Sequence, residues 1–250
     1  MHDSASLIRF YEDGYTQRPE EAQLYSRWRA LGAVGKAAHV EALCRRAGLA
    51  PADVLDVGCG DGALLSQLHA RGFVRRLVGV EINQAAVAIA SSRPEIDAVK
   101  LYDGECLPFA DGAFALGVLS HVLEHVPDPA QLLAETARVC RAVVCEVPLE
   151  RNWSASRAGK RSTAASVGHI QRLDRDRARA IVTDAGLTIV TENEDALPLA
   201  AHTFFARGRS ARARATARWA LRATLHLLAP PLARRLFTLH YSCLCLLPDA

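Results

Sequence analysis

Histidine and glutamate side chains concentrate the chemical potential of this sequence in one short stretch. Ser120-His121-Val122-Leu123-Glu124-His125 spaces His121, Glu124 and His125 at i, i+3 and i+4, so one turn of helix would bring all three to a single face. Imidazole can take a proton from a hydroxyl near neutral pH, and imidazoles beside a carboxylate also suit a divalent ion. A second set of residues points to a bound nucleoside. Val54-Leu55-Asp56-Val57-Gly58-Cys59-Gly60-Asp61-Gly62 runs an apolar strand into three closely spaced glycines, which let the backbone turn sharply and let a ligand approach the main chain. Glu81, 21 residues after Gly60, can accept hydrogen bonds from both hydroxyls of a ribose. Ile82 beside it offers an apolar face to adenine, and Asp103, followed by Gly104, can accept from the exocyclic amine. The dinucleotide fingerprint places its third glycine where this sequence has Ala63, which disfavours a nicotinamide dinucleotide.

The elements that must position these groups are legible from periodicity. Between residues 53 and 195 short β-branched runs alternate with helical patterns, which predicts an α/β fold with a Rossmann-like, mostly parallel sheet. Strands are expected at Val54–Val57, Leu77–Glu81, Ala98–Tyr102, Ala115–Leu119, Ala142–Val147, Leu187–Thr191 and Leu239–Leu246, and helices near Ala63–Ala70, Gln84–Ser91, Pro129–Arg141 and Arg175–Ala185. Asp128 before Pro129 suits a helix start, and Gly186 suits the end of the preceding helix. One or two helices over residues 20–47 would cover the nucleoside site, with Tyr11, Tyr15, Tyr25 and Trp28 packing them onto the core or lining a pocket, and Arg27 or Arg29 within reach of a ligand carboxylate. Residues 151–168 read as a loop, and residues 208–235 as a helical insert broken at Pro230 and Pro231. The whole is expected to be one domain: a helical N-terminal cap over 1–50, a core over 51–200, a basic helical insert over 201–236 and a last strand over 237–250.

Four ordered segments carry a family resemblance. Leu-Asp-Val-Gly-Cys-Gly-Asp-Gly, Gly-Val-Glu-Ile, Asp-Gly-Glu-Cys-Leu-Pro-Phe-Ala-Asp-Gly-Ala-Phe and Ser-His-Val-Leu-Glu-His-Val-Pro-Asp-Pro together resemble the class I S-adenosylmethionine-dependent methyltransferases, in the branch of ubiquinone-pathway and natural-product enzymes. The resemblance implies seven strands with the last antiparallel. It also implies S-adenosylmethionine as cofactor, with Asp56, Gly58 and Gly60 at its methionine part, Glu81 at the ribose, Asp103 and the Gly104 amide at the adenine, and Cys59, Ile82 and Ser120 as further contacts. His121, His125 and His169 are then the candidate proton acceptors. A Glu-x-x-Glu-His segment is similar at this place in small-RNA ribose methyltransferases, where a downstream histidine completes a metal site. That likeness implies a metal held by His121, Glu124, His125 and His169. Imidazole in place of the first carboxylate favours Mn²⁺, Fe²⁺, Co²⁺ or Zn²⁺ over Mg²⁺. The same segment also occurs in the branch without metal, so a histidine base and a purely structural turn stay open.

The implied reaction is methyl transfer to a small-molecule acceptor, in first place a hydroxyl of a sugar or natural-product intermediate. N- or C-methylation and a catalytically silent cofactor-binding partner are the rivals. A net charge of +3 gives no reason to expect a specific nucleic-acid partner. Charge is unevenly spread, however: no Asp or Glu lies between Ala206 and Pro248, where eight arginines fall. Such a basic stretch over 207–235 can lie on an anionic membrane, face a phosphorylated acceptor, or be a solvated insert. Seven cysteines without a Cys-x-x-Cys pair suggest reduced thiols and a cytoplasmic setting, and Met1-His2-Asp3-Ser4 has no secretory pattern.

Overall fold

The structure, a computed structural model, describes residues 19–157 and 168–248. Tyr11, Tyr15 and most of the expected 151–168 loop lie outside the described residues. The elements run α1 (Pro19–Arg46), β1 (Asp53–Val57), α2 (Ala63–Ala70), β2 (Arg76–Glu81), α3 (Gln84–Ser91), β3 (Ala98–Leu101), β4 (Phe114–Ser120), a 3₁₀ turn (Leu123–His125), α4 (Pro129–Val139) and β5 (Cys140–Leu149). They continue with α5 (Arg175–Asp184), β6 (Thr188–Asp195), α6 (Leu199–Thr203), α7 (Arg209–Leu228), α8 (Pro230–Leu236) and β7 (Leu239–Leu246).

Side-chain caps start several of these helices. Asn83 accepts from the Ala86 amide, Asp128 from Gln131 with Pro129 in the first turn, and Asp174 from Arg177. Among the described residues those before the sheet form one helix, and Pro230 begins a new helix one residue after the break at Ala229.

The seven strands form one sheet in the order β3-β2-β1-β4-β5-β7-β6, with β7 antiparallel to both neighbours and every other pair parallel. Alternate residues of each central strand feed opposite cores. Val54, Leu116, Val118 and Val144 pack with Val40 and Leu43 of α1 and Leu65 and Leu68 of α2. Leu55, Val57, Leu119 and Val143 pack with Leu132 and Leu133 of α4 and Ile181 of α5. Burial on both faces explains why these strands read as continuous apolar runs.

β5 and β6 outrun their expected bounds by more than a single residue. β5 continues through Pro148, which costs the sheet nothing on the β4 side because β4 pairs with it only as far as Ser120 opposite Glu146. β6 continues through the acidic run to Asp195 as a half-exposed edge strand, because basic side chains absorb its charges. Arg175 and Arg179 meet Glu192, and Arg234 meets Glu194. The strand order reverses between β1 and β4, so their carboxyl ends diverge and open a crevice there.

Gly117 shows how tightly α4 lies on β4: a Cβ there would stand 2.7 Å from Thr136 Cγ2 and 2.9 Å from Cys140 Sγ. Gly117→Ala is expected to lower stability by about 1–3 kcal/mol through overpacking, read as a lower urea midpoint. Adding Thr136→Ser, which removes that methyl, should recover part of the loss; a single variant as stable as the parent would contradict this packing.

Candidate active site

The crevice holds a cavity of about 450 Å³. Its nucleoside half is built by the β1 turn. Gly58, Gly60 and Gly62 take φ of 74°, 56° and 77°, in the left-handed region where a side chain would be strained. The amides of Gly58 and Cys59 both donate to the Val80 carbonyl, at 2.9 and 3.0 Å, pinning the turn to β2. Glu81 then locks the corner by accepting from the amides of Gly60 (2.9 Å), Ile82 (2.7 Å) and Asn83 (3.1 Å). These take three of the roughly four acceptor positions of a carboxylate, leaving one for a ribose hydroxyl where the sequence reading expected two. Burial raises the Glu81 pKa against the pull of the amides.

Asp56, Gly58, Cys59, Gly60, Glu81 and Ile82 border the cavity on this side. Asp103, Gly104 and Ser120 border it further along, so all nine expected cofactor contacts face one space. Asp103 caps its own turn, accepting from the Glu105 and Cys106 amides at 2.8 Å each, which holds its pKa down. Ser120 Oγ is buried on this wall without a hydrogen-bond partner, as expected of a group that meets a ligand.

Helix α1 roofs the crevice with Arg29, Ala33 and Lys36. Arg29 Nε donates to Asp61 Oδ2 at 2.7 Å, fixing the roof to the glycine turn. Tyr25 is exposed, and Trp28 packs at a tilt against Phe204 and Phe205, and neither borders the cavity.

At the other end the expected helical face does not form. The 3₁₀ turn covers only Leu123–His125, and His121 stands before it at φ 61°, its amide donating to the Glu146 carbonyl at 2.9 Å. The four residues expected around one metal therefore part company. Glu124, His125 and His169 have ligand atoms within 4.8 Å of one another, whereas His121 groups with Glu146 and His240. His121 and His125 border the cavity; Glu124 and His169 stand behind that wall.

The chain after β5 is pinned to this turn because the amides of Ile170 and Gln171 both donate to the Glu124 carbonyl at 3.0 Å. That brings His169 edge-on to His125, with ring centroids 4.8 Å apart. His125 Nδ1 donates to the Gly168 carbonyl at 3.1 Å, and His169 Nδ1 lies 2.9 Å from Glu150 Oε2. A carbonyl can only accept, so His125 carries its hydrogen on Nδ1 and its lone pair on Nε2. Burial keeps the His125 pKa below the ordinary histidine value, against the pull of Glu124.

The Glu124 carboxylate is buried, and neither oxygen receives an aligned hydrogen bond. The nearest side-chain nitrogens to Oε1 are His121 Nδ1 at 3.2 Å and His125 Nε2 at 4.0 Å. Burial opposes its ionisation, but the contact with His121 and the fields of His125 and His169 prevail and hold its pKa at about 2.

A second buried carboxylate was missed in the sequence. Glu146 of β5 lies among His39 of α1 (Nδ1 to Oε2, 2.8 Å), His121 (Nε2 to Oε1, 3.3 Å) and His240 of β7 (Nδ1 to Oε1, 3.8 Å). His39 also reaches Asp195 at 3.0 Å. Burial works against its protonation, yet the bonds to Asp195 and Glu146 raise its pKa to about 10. Burial and Lys36 likewise oppose protonation of His121, and Glu124 and Glu146 overcome them. The one available signal was an acid in the middle of the apolar run Val143-Val144-Cys145-Glu146-Val147. Lys36 left no such mark.

Asp56 yields a pH prediction. Burial raises its pKa to about 7, with Lys36 opposing and Glu81 adding. The folded state thus favours the neutral acid; that contribution is complete below the unfolded value near 4 and is lost as pH rises through about 7. Asp56→Asn should raise the unfolding temperature at pH 8 and give a shrinking gain toward pH 5. A gain that grows as pH falls would contradict the assignment.

Comparison with known proteins agrees with this geometry. Residues 33–192 match the family model described as a methyltransferase domain. The chain is 34% identical over 152 residues to an uncharacterized transposon protein of Streptomyces fradiae, covering 55% of this chain and 44% of that protein. It is 33% identical over 102 residues to the ubiquinone biosynthesis O-methyltransferase of Aromatoleum aromaticum, covering 39% and 43%. The chain thus spans less than half the length of these two relatives. Among solved structures, it is similar in fold to geranyl diphosphate C-methyltransferase from Streptomyces coelicolor, with a TM-score of 0.61, 17% identity, and 85% of this chain and 79% of that chain covered. With the family model spanning most of the chain, the protein belongs to the class I S-adenosylmethionine-dependent methyltransferases.

Proposed function

We propose that the protein methylates a hydroxyl oxygen of a small-molecule acceptor and that His125 takes the hydroxyl proton. The hydrogen bond from His125 Nδ1 to Gly168 carries this reading, since it puts the lone pair on Nε2 of a ring at the cavity wall. His121 is a poorer acceptor. Held between Glu124 and Glu146, which raise its pKa, it has a lone pair less freely directed at the acceptor than that of His125. S-Adenosylmethionine supplies the methyl on a sulfonium, which the acceptor displaces in line. Ser120 and the glycine turn would hold that group in place, beneath the α1 residues that line the same cavity. The relative named as an O-methyltransferase supports the preference for oxygen.

The bare carboxylate of Glu124 favours a second reading, in which an ion assists. Glu124, His125 and His169 would hold it, each histidine with its other nitrogen already anchored, on Gly168 and on Glu150. Two imidazoles and one carboxylate suit Mn²⁺, Fe²⁺, Co²⁺ or Zn²⁺ better than Mg²⁺, and such an ion lowers the pKa of a bound hydroxyl.

The basic stretch supports a peripheral contact with anionic lipid. Arg209, Arg212, Arg214 and Arg218 of α7 are exposed, and Leu227 and Leu228 follow with 79% and 75% of their surface exposed. No helix among the described residues is long and apolar enough to cross a membrane.

Two experiments test these readings. With an acceptor found by mass spectrometry from a panel of alcohols, phenols and amines, His125→Ala should lower kcat by about 10²–10⁴-fold and leave S-adenosylhomocysteine affinity unchanged. A product methylated on nitrogen or carbon, or full turnover by the variant, refutes the hydroxyl mechanism, and turnover undiminished by a chelator refutes the ion. The protein should also sediment with vesicles containing phosphatidylglycerol at low salt and not with neutral ones; equal recovery from both would end the lipid reading.

A further inference from the structure

The group formed by His121, Glu146 and His240 is separate from the one just described and comes from the ends of three adjacent strands. His121 follows β4, Glu146 lies near the end of β5, and His240 lies near the start of antiparallel β7, so all three meet at one edge of the sheet. Their ligand atoms make a small triangle: His121 Nε2 to His240 Nδ1 is 3.1 Å, His121 Nε2 to Glu146 Oε1 is 3.3 Å, and His240 Nδ1 to Glu146 Oε1 is 3.8 Å.

A tetrahedral ion with bonds of about 2.0–2.2 Å holds its ligand atoms about 3.3–3.6 Å apart. The three measured edges bracket that spacing. We propose that His121 Nε2, His240 Nδ1 and Glu146 Oε1 form a binding site for a divalent ion of the size and softness of Zn²⁺.

The atoms behind the triangle are arranged as such a site requires. The other nitrogen of His121, Nδ1, faces Glu124 Oε1 at 3.2 Å, which favours the tautomer with its lone pair on Nε2. The second oxygen of Glu146 accepts from His39 Nδ1 at 2.8 Å, and His39 is steadied in turn by Asp195. A ligand carboxylate and a ligand imidazole are thus each oriented from outside. Three protein ligands match zinc sites that keep a position for water or substrate, and His121 also borders the cavity. Two imidazoles in a set of three select a borderline-soft ion over Mg²⁺ or Ca²⁺. The site depends on neither the identity of the acceptor nor the role of His125.

The test uses the full chain, stripped with a chelator and titrated with Co²⁺ and then Zn²⁺, with the visible absorption of Co²⁺ as readout. Near-ultraviolet circular dichroism and S-adenosylhomocysteine binding check that each variant is folded. His240→Ala and Glu146→Gln should weaken binding at least about tenfold, while His169→Ala should bind as the parent does. Loss in His169→Ala with retention in His240→Ala would place the ion among Glu124, His125 and His169, overturning this proposal and leaving the assisted mechanism intact. No binding by the parent would overturn both, and the triangle would then be closed by a proton. Crystals soaked in Zn²⁺ decide the matter without any variant: an anomalous peak within bonding distance of His240 Nδ1 is expected, and a peak elsewhere or none contradicts the site.

Discussion

A carboxylate buried near the end of β5, inside the sheet, cannot remain there alone, and the arrangement around Glu146 follows from that constraint. An unpaired charge in such a place would cost several kcal/mol. Here histidines arrive from three directions, His39 from the roof helix, His121 from the turn after β4 and His240 from β7. Burial raises the Glu146 pKa, but the bonds from His121, His240 and His39 more than offset it and hold the group well below the ordinary carboxylate range. The acid thereby ties the lid, the reactive turn and the last strand to one point.

That point matters because the crevice beside it is assembled from parts with little else in common. Its nucleoside half depends on backbone geometry: a glycine turn, two amides on the Val80 carbonyl and a glutamate that gathers three more. Its reactive half depends on side chains whose protonation is set by neighbours. His121 sits between two carboxylates, and His125 rests on a carbonyl. Two histidines four residues apart thus have their pKa values moved in opposite directions, His121 up and His125 down, without either being unusual in itself.

Much of the scaffold was legible in advance because its signals are local. Apolar strands, capping residues such as Asp128 and the glycine turn each carry their structure in a few neighbouring residues, and the helices at Ala63–Ala70 and Gln84–Ser91 lie where periodicity puts them. The errors came where tertiary partners decide. The acidic tail of β6 is a strand only because arginines from α5 and α8 neutralise it. The spacing of His121, Glu124 and His125 suggested a helical face, but β4 pairs with β5 as far as Ser120 and leaves His121 in a left-handed turn. Glu146, His39 and His240 are far apart in the chain, and no local pattern could have joined them.

The antiparallel strand β7 has a consequence for how the molecule is made. It lies between β5 and β6, so during synthesis β6 has no neighbour in the sheet until residues 239–246 have left the ribosome. Until then both strands present unsatisfied backbone edges, the kind of surface on which chains misassociate. His240 arrives with the same strand that closes the gap. Completion of the sheet and completion of the histidine cluster are therefore one event in the maturation of the chain.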